Sequence, residues 1–379
     1  RERSGSSSDI ESFVLSVPSR SGKGEPQGRR PRLRRFEAGF AVAHLPPLVF
    51  EPLPFERPWG GHRLQELYQK PGVHGKPVGE TWEVADRAGA ESVVAEGEFK
   101  GASLRWFMEH RREDLLGLLL PHFDASAGLE RFPWLIKCLD CAQTLSLQVH
   151  PSPEKARRFG GEPKTELWYV TRAAADACLW AGLERHVEVE ELARDAGKPG
   201  FARHLHQIAV RAGDALFLPS GRLHAPGAGV LIFEVQENSD TTYRLYDWDR
   251  VGVDGRPRAL HLNEGLASID VHDLRPRLVA EDWSDPGAGG LRRRTLAECE
   301  MFRVNESRCG ASVEIPWAPS GSARAVGVVE GWLRVSADGF DGRMGAGRWV
   351  LIPASAGGVR LEAEGEACWL EVGPGHQRC

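Results

Sequence analysis

Residues 213–244, GDALFLPSGRLHAPGAGVLIFEVQENSDTTYR, decide the fold because they contain short apolar runs separated by tight turns. The Gly-Asp pair that opens the stretch is a turn signal, and the Pro-Ser-Gly triplet at 219–221 is a second one. His224 follows this second turn at the start of the next apolar run. The spacing therefore predicts a β-hairpin that presents one histidine.

A second set of polar residues lies on a strand further upstream. Residues 132–151 read FPWLIKCLDCAQTLSLQVHP, a long extended run in which apolar and polar side chains alternate near its end. The alternation places Ser146, Gln148 and His150 on one face of the strand. Gln148 and His150 therefore point the same way, as two ligands inside a barrel would.

A third strand adds a carboxylate. Lys164 and Glu166 follow a Gly-Gly turn and lie two residues apart, so they share a face. Together with His224, the three strands supply two imidazoles, one carboxylate and one amide oxygen. Such a set suits a borderline divalent ion such as zinc and leaves a position for water or substrate. A solvent-facing polar strand is the better interpretation of any one of these residues, but four in a barrel pattern favour a metal site.

The order of six segments resembles type I phosphomannose isomerases, most closely their shorter bacterial form. The segments are RPWGG (57–61), GETWEV (79–84), FPWLIKCLDCAQTLSLQVHP (132–151), KTELWYV (164–170), LPSGRLHA (218–225) and EVQENSDTTYRLYDWDR (234–250). The resemblance extends over residues 48–375. The G-x5-P-x-G-x2-H spacing around His224 also matches the second half of the cupin signature, although Ala228 replaces its closing asparagine.

The resemblance implies a zinc-dependent aldose–ketose isomerase that interconverts mannose 6-phosphate and fructose 6-phosphate through a cis-enediol. The zinc ligands of the family match Gln148, His150, Glu166 and His224. Its further functional residues match Lys164, Glu234, Asp240 and Arg244.

We expect Glu234 to be the general base and Arg244 to stabilise anionic charge, with Asp240 orienting it. Lys164 is expected to assist Arg244 or to help open the sugar ring. An ordinary structural ion pair is the alternative for Asp240 and Arg244. The sequence does not choose between the candidates for binding the phosphate group, which are Arg57, Arg63 and Lys137.

The predicted fold is mainly β with helical insertions, built as two cupin-type jelly-roll barrels of which the first carries the metal site. We expect a disordered tail over 1–45, a catalytic domain over 46–283 and a cupin-like β domain without metal over 284–379. The G-x5-P spacing recurs in the last of these, but Gly358 stands at the histidine position. Its strands are predicted at 299–304, 313–315, 325–329, 332–335, 349–352 and 368–372.

Apolar residues at helical spacing predict helical insertions over 101–120 and 184–206 and a short helix over 263–269. The second insertion contains three further histidines that offer alternative ligands. Because helical spacing puts them on different faces, we expect them at the surface; they are His186, His204 and His206.

Charge and cysteine content narrow the classes of partner. Residues 1–45 carry nine Lys or Arg against five Asp or Glu, a net of +4, which leaves −9 for the rest of a chain whose net charge is −5. This acidic body argues against nucleic acid as a partner. No apolar run is long enough to suggest a membrane span. Seven cysteines, an odd and scattered number, favour a reducing cytoplasm over a disulfide framework.

Three other classes of function remain open from the sequence. A cupin oxygenase would need iron and usually a histidine or carboxylate in place of Gln148. An isomerase could act on another sugar phosphate, and a non-catalytic cupin could bind sugar or metal alone, because barrels of this type support many functions.

Overall fold

The computed structural model describes residues 44–72, 75–119, 131–318 and 320–375. The predicted disordered tail lies outside the described residues except for positions 44 and 45. In the first half of the chain the strands are β1 (Leu53–Gly61), β2 (Val78–Val84), β3 (Asp86–Arg87), β4 (Ala90–Glu91), β5 (Trp134–Cys141), β6 (Leu147–Val149), β7 (Glu166–Ala173), β8 (Cys178–Leu183), β9 (Leu205–Ala209), β10 (Ala215–Leu218), β11 (His224–Pro226), β12 (Val230–Glu237) and β13 (Tyr243–Tyr246). In the second half they are β14 (Arg292–Glu298), β15 (Arg303–Cys309), β16 (Val313–Ile315), β17 (Arg324–Glu330), β18 (Trp332–Ala337), β19 (Phe340–Gly345), β20 (Trp349–Ile352), β21 (Arg360–Ala363) and β22 (Ala367–Gly373).

Two antiparallel sheets pack together in the first half of the chain. The six-stranded sheet has the order β1-β2-β5-β12-β7-β10, and the five-stranded sheet has the order β13-β6-β11-β8-β9. Leu139 and Trp168 of the first sheet belong to the same buried apolar cluster as Leu179 and Ala181 of the second. Alternation along each strand therefore buries one set of side chains between the two sheets.

The predicted hairpin around His224 is wrong. β10 pairs with β7 in the six-stranded sheet, whereas β11 pairs with β6 and β8 in the five-stranded sheet. The Pro-Ser-Gly turn therefore carries the chain from one sheet to the other. A hairpin and a crossing between sheets have the same local turn chemistry, so the sequence pattern alone cannot separate them.

A second pair of antiparallel sheets follows, with strand orders β14-β15-β22-β17-β20 and β16-β21-β18-β19. The described chain is therefore mainly β, as predicted. Its largest apolar cluster contains residues from both halves. Phe233 of β12 and Trp349 of β20 meet there, with ring centroids 5.4 Å apart. Burial of this shared surface holds the halves together.

The helices are short. They are α1 (Arg63–Tyr68), α2 (Leu104–His110), α3 (Arg112–Leu116), α4 (Pro153–Phe159), α5 (Val189–Asp195) and α6 (Leu262–Ser268). The first predicted insertion thus contains two helices, the second contains α5 and a 3-10 turn (Pro199–His204), and the short helix is confirmed as α6. Leu192 and Leu266 pack with Leu147 and Leu245 on the outer face of the five-stranded sheet.

His204 corrects one prediction, because its side chain is buried and not at the surface. Its Nε2 lies 2.6 Å from Asp195 Oδ2, and its ring packs near Phe201. His186 is exposed, as expected. Within the described residues, no helix has both the length and the apolar character that a membrane crossing requires.

Candidate metal centre and active site

Three side chains of metal-ligand type converge between the two sheets of the first half. Their candidate ligand atoms all lie within 4.8 Å of one another, and the residues are His150, Glu166 and His224. Glu166 opens β7 in one sheet, His224 opens β11 in the other, and His150 directly follows β6. Glu166 Oε1 lies 3.2 Å from His224 Nε2 and 3.6 Å from His150 Nε2. The fold thus brings residues from three strands to one point.

Backbone carbonyl groups orient both imidazoles. His150 Nδ1 donates to the carbonyl oxygen of Thr241 at 2.8 Å, and His224 Nδ1 donates to that of Arg222 at 2.8 Å. Each Nε2 then carries a lone pair and faces the centre, as a metal-ligating histidine requires. In the described part of the chain, His150 Nε2 and Glu166 Oε1 are buried without a hydrogen bond. Buried polar atoms normally have a partner, so these two atoms fit a site that binds a cation better than they fit ordinary apolar packing.

The electrostatic environment keeps His150 and Glu166 in their metal-binding forms. Burial, followed by the charge of Lys164, lowers the pKa of His150 to about 3, so the ring is neutral at neutral pH. Burial opposes ionisation of Glu166, but Lys164 and His150 hold the pKa of its carboxyl group well below the ordinary value. Neutral imidazoles and an ionised carboxylate are the states in which these groups bind metals.

Gln148 completes the group on the same face. It is paired with His224 across the β6–β11 ladder, and its Nε2 lies 3.5 Å from His224 Nε2. Ser146 Oγ donates to Gln148 Oε1 at 3.1 Å. A half-turn of this amide presents the oxygen to the centre, because the two amide orientations occupy the same space. Gln148 therefore lies next to the three grouped side chains, and its amide oxygen can reach them.

A cavity of about 700 Å³ opens onto this group. Its wall includes Gln148, Lys164 and Glu234 and also Arg258 and His261. The volume suits a small polar molecule.

Comparison with known proteins decides the family. Residues 55–166 match the sequence profile of phosphomannose isomerase type I, catalytic domain. The chain is 35% identical to mannose-6-phosphate isomerase ManA of Bacillus subtilis (strain 168) over 334 residues, which cover 84% of this chain and 97% of that protein. This chain belongs to the mannose-6-phosphate isomerase family.

Other members support the assignment. The mannose-6-phosphate isomerase of Streptococcus mutans is 35% identical over 272 residues, which cover 71% of this chain and 81% of that protein. The crystal structure of the mannose 6-phosphate isomerase from Bacillus subtilis superposes with a TM-score of 0.75 at 27% identity, and the match covers 86% of this chain and 99% of that one. The apo form from Salmonella typhimurium, at a TM-score of 0.65, 17% identity and coverage of 88% and 100%, shares the fold.

The cavity of this mannose-6-phosphate isomerase family member also holds a buried carboxylate, Glu234. Trp168 Nε1 donates to its Oε1 at 3.0 Å, and Lys137 Nζ lies 3.2 Å from its Oε2. Burial raises the pKa of Glu234 above its ordinary value, although the charges of Lys137 and Lys164 oppose the shift. A carboxyl group with a raised pKa suits proton transfer near neutral pH.

Charges of alternating sign line the wall from the metal group outward. Lys164 Nζ lies 2.7 Å from Glu166 Oε2 and 4.0 Å from Glu234 Oε1. Lys137 lies between Glu234 and Glu80, 3.6 Å from the second. Burial opposes ionisation of Glu80, but the charges of Lys137 and Arg57 lower its pKa to about 2. The sequence analysis did not identify Glu80 as a charged residue of the cavity wall. The only signal for it in the sequence was the GETWEV segment.

The structure also locates the three candidates for phosphate binding. Arg57 Nε donates to Glu80 at 2.6 Å, and Lys137 lies between two carboxylates. Arg63 donates to Asp140 and to the carbonyl groups of residues 229 and 230, and it does not line the cavity. Each of these cations already has a partner in the protein.

The expected contact between Asp240 and Arg244 is not formed in the described residues. Arg244 Nε donates to Ser146 Oγ at 3.3 Å and Nη1 to the carbonyl oxygen of Ala259 at 2.9 Å. The side chain of Asp240 is exposed on the cavity wall, and its backbone N–H donates to Glu162 at 3.3 Å. Asp240 lies before β13 and Arg244 lies on it, and the two side chains do not meet.

Proposed function

We propose that this chain is a metal-dependent aldose–ketose isomerase that interconverts mannose 6-phosphate and fructose 6-phosphate. The observation that carries the proposal is the convergence of His150, Glu166 and His224 beside a cavity that contains Glu234. Membership of the mannose-6-phosphate isomerase family supports the choice of substrate. A sugar phosphate is small and polar, as the cavity requires.

The metal that we propose is zinc, with Gln148, His150, Glu166 and His224 as its ligands. Two imidazole nitrogens and a carboxylate are a donor set that zinc prefers, and one neutral amide ligand keeps the ion more positive than a second carboxylate would. When bound, zinc supplies Lewis-acid stabilisation of negative charge on the sugar oxygens at C1 and C2.

Glu234 is the proposed general base. Trp168 and Lys137 hold its two oxygens, and the carboxylate accepts the proton from C2 of the open-chain aldose and returns it to C1 of the cis-enediol, while the hydroxyl proton on the C2 oxygen passes to the C1 oxygen. Its raised pKa makes the carboxylate a stronger proton acceptor than an ordinary glutamate. Lys137, 3.2 Å from Oε2, holds the carboxylate in place.

The remaining side chains of the proposed site act on charge and on the sugar hydroxyl groups. Lys164 lies beside both Glu166 and Glu234, so it stabilises anionic charge or assists ring opening. Arg244 contributes a further positive charge on the cavity wall. Asp240 offers an acceptor at the mouth, where it does not orient Arg244.

We further propose that each half of the chain forms a cupin-type jelly-roll barrel, with the boundary between residues 283 and 284. The paired sheets in each half and the repeated G-x5-P turn support this division. Gly358 at the histidine position of the second half supports a single metal site in the first. The six cysteines within the described ranges are free thiols, which supports a cytoplasmic location.

The test is conversion of mannose 6-phosphate to fructose 6-phosphate by the purified chain, with metal content measured before and after chelation. We expect about one zinc per chain, loss of turnover on chelation and recovery on adding zinc back. Metal and sugar binding without turnover would identify a non-catalytic cupin. Turnover of another sugar phosphate alone would redirect the substrate assignment.

His150→Ala tests the ligand set. We expect it to abolish both zinc binding and turnover, because it removes a nitrogen donor from the centre of the site. His186→Ala is the matched control, since His186 is exposed and lies 3.0 Å from Glu188. Retention of zinc and turnover in His150→Ala would mean that the ligands are misassigned.

A further inference from the structure

Residues 247–258, which we call the strap, run along the rim of the cavity between β13 and α6. Four of its residues line the cavity, namely Gly252, Val253, Asp254 and Arg258. Trp248 and Asp249 have φ angles of 58° and 53°, so two consecutive non-glycine residues adopt the left-handed conformation. Side chains rarely adopt this conformation, and the surrounding structure must hold it in place.

One buried carboxylate ties the two ends of the strap together. Asp247 Oδ1 accepts from Arg250 Nη2 at 2.7 Å and from Arg258 Nη2 at 2.6 Å, and Oδ2 accepts from Arg258 Nε at 2.7 Å. The strap returns on itself through the bridge between Val251 and Pro257. Arg258 is therefore fixed by two parallel bonds. Its Nη1 has no acceptor among the described residues and remains available to a ligand.

Arg244 adds a second guanidinium on the same side of the cavity. It has no carboxylate partner in the ranges that the structure covers, and burial, followed by the charge of Arg258, lowers its pKa to about 10. Arg244 remains charged at neutral pH all the same. Arg250 and Arg258 thus share the carboxylate of Asp247, and Arg244 lies beside them without a carboxylate partner of its own.

This arrangement contrasts with the other cations of the cavity. Lys137, Lys164 and Arg57 alternate with Glu80, Glu166 and Glu234, so their charges are balanced. Two guanidinium groups, those of Arg244 and Arg258, line the strap end of the described wall together with one carboxylate, that of Asp254. A hydrogen-bond path of 3.1 and 3.3 Å runs from Gln148 through Ser146 to Arg244. Arg244 Nη1 in turn donates to the carbonyl oxygen of Ala259, the residue after Arg258, so Arg244 connects the proposed metal site to the end of the strap.

We infer that Arg258, together with Arg244, binds the phosphoryl group of the substrate, and that Asp247 is the residue that positions Arg258. The inference rests on the proposed function, because it assigns the anionic end of the same substrate. A guanidinium group offers parallel donors that match phosphate oxygens, and a charge-assisted bond of this kind is stronger than a neutral one. With C1 and C2 at the metal group, the phosphate on C6 extends toward the strap.

Binding of inorganic phosphate to the metal-loaded full chain, measured by titration calorimetry, tests the inference without requiring turnover. Arg258→Gln removes the charge and the free donors, so we expect phosphate affinity to fall at least ~10-fold, the scale of one charge-assisted bond. We also expect the preference for mannose 6-phosphate over mannose, as the ratio of kcat/KM values, to fall by a similar factor. Arg256→Gln is the matched control, because Arg256 lies on the same strap, is exposed and does not line the cavity.

Asp247→Asn tests the positioning role separately. It weakens the hold on Arg258 without changing the cavity wall, so KM for mannose 6-phosphate is expected to rise while kcat changes little. Arg258→Lys keeps the charge near Asp247 but loses the planar fork, and it reports on the site if Arg258→Gln does not fold. We expect it to weaken phosphate binding as well.

The possible outcomes separate the two proposals. Phosphate binding that depends on Arg258 in a chain without isomerase activity would support the subsite and refute the proposed function. Isomerase activity with unchanged phosphate affinity in both Arg258 variants would refute the subsite alone. A wild-type chain that does not bind phosphate would also overturn the inference.

Discussion

Glu234 is the residue whose surroundings most directly determine the proposed chemistry. Glu234→Gln keeps the shape of the side chain and an oxygen that can accept from Trp168, but it cannot carry a proton between carbons. We expect kcat to fall by ~100-fold or more, because positioned general bases contribute on that order. Steady-state kinetics on mannose 6-phosphate measures the loss, with zinc content expected to be unchanged.

A glutamate on the same strand provides the control. Glu237 ends β12, lies outside the cavity wall and is half-buried. Glu237→Gln is expected to keep its turnover. A Glu234→Gln enzyme that is folded, zinc-loaded and still fast would move the general base to another residue.

Single residues also show where sequence reasoning reached its limit. Period-2 alternation predicted that Gln148 shares a face with His150 and that Lys164 shares one with Glu166, because strand geometry fixes which side chains point the same way. In the structure, Lys164 Nζ lies 2.7 Å from Glu166 Oε2. His204 was predicted at the surface from an assumed helical spacing, but it lies at the end of a 3-10 turn. Asp240 was expected from the family resemblance to orient Arg244, but residues beyond a strand end have no fixed direction, and the two side chains do not meet in the described structure.

At the scale of the element, a carboxyl group at the end of β12 is expected to make the stability of the fold depend on pH. Burial raises the pKa of Glu237 at its end from 4.5 to about 6. The folded state therefore binds this proton more tightly than the unfolded state. The stabilisation is fully present below about pH 4.5 and is lost as the pH rises through about 6.

Glu237→Gln tests this shift, because glutamine does not ionise. The quantity to compare is the free energy of unfolding of the variant minus that of wild type. We expect this difference to be larger at about pH 7 than at about pH 4, by about 1–2 kcal/mol after allowing for partial exposure. Urea denaturation at the two pH values measures the difference. An equal difference at both would show that burial of this strand end does not perturb the carboxyl group.

Elements were predicted best where the local pattern determines them. Residues 313–315 and 349–352 form strands with the predicted bounds. Short runs of β-branched and apolar residues between turns favour a strand over any other element. The predicted strand at 299–304 is largely the turn between β14 and β15. β14 was missed because its RRRTLAE sequence reads as a charged surface, although Arg294 is buried against a carboxylate. The strand is stabilised by partners that are distant in the sequence, which a short stretch of sequence does not reveal.

At the scale of the whole molecule, a buried polar network joins the two halves through β7, the strand that begins with Glu166. Glu306 of β15 is fully buried and accepts from Arg294 Nε at 2.7 Å and from Arg308 Nε at 2.6 Å. Tyr169 donates to the same carboxylate at 2.7 Å. Tyr169 lies on β7, three residues after Glu166, so the network fixes the strand that carries a proposed ligand.

Substitutions in this network should separate its contributions to stability. Glu306→Gln leaves Arg294 buried without a full countercharge, so we expect a loss of about 3 kcal/mol in the free energy of unfolding. Tyr169→Phe removes one hydrogen bond to a charged group, for which we expect about 1.5 kcal/mol. Because the two residues are in contact, the double variant should lose less than the two single losses combined, as thermal or urea unfolding can measure. Fully additive losses would show that Tyr169 and Glu306 stabilise the two halves independently, and that the network does not couple β7 to the second half.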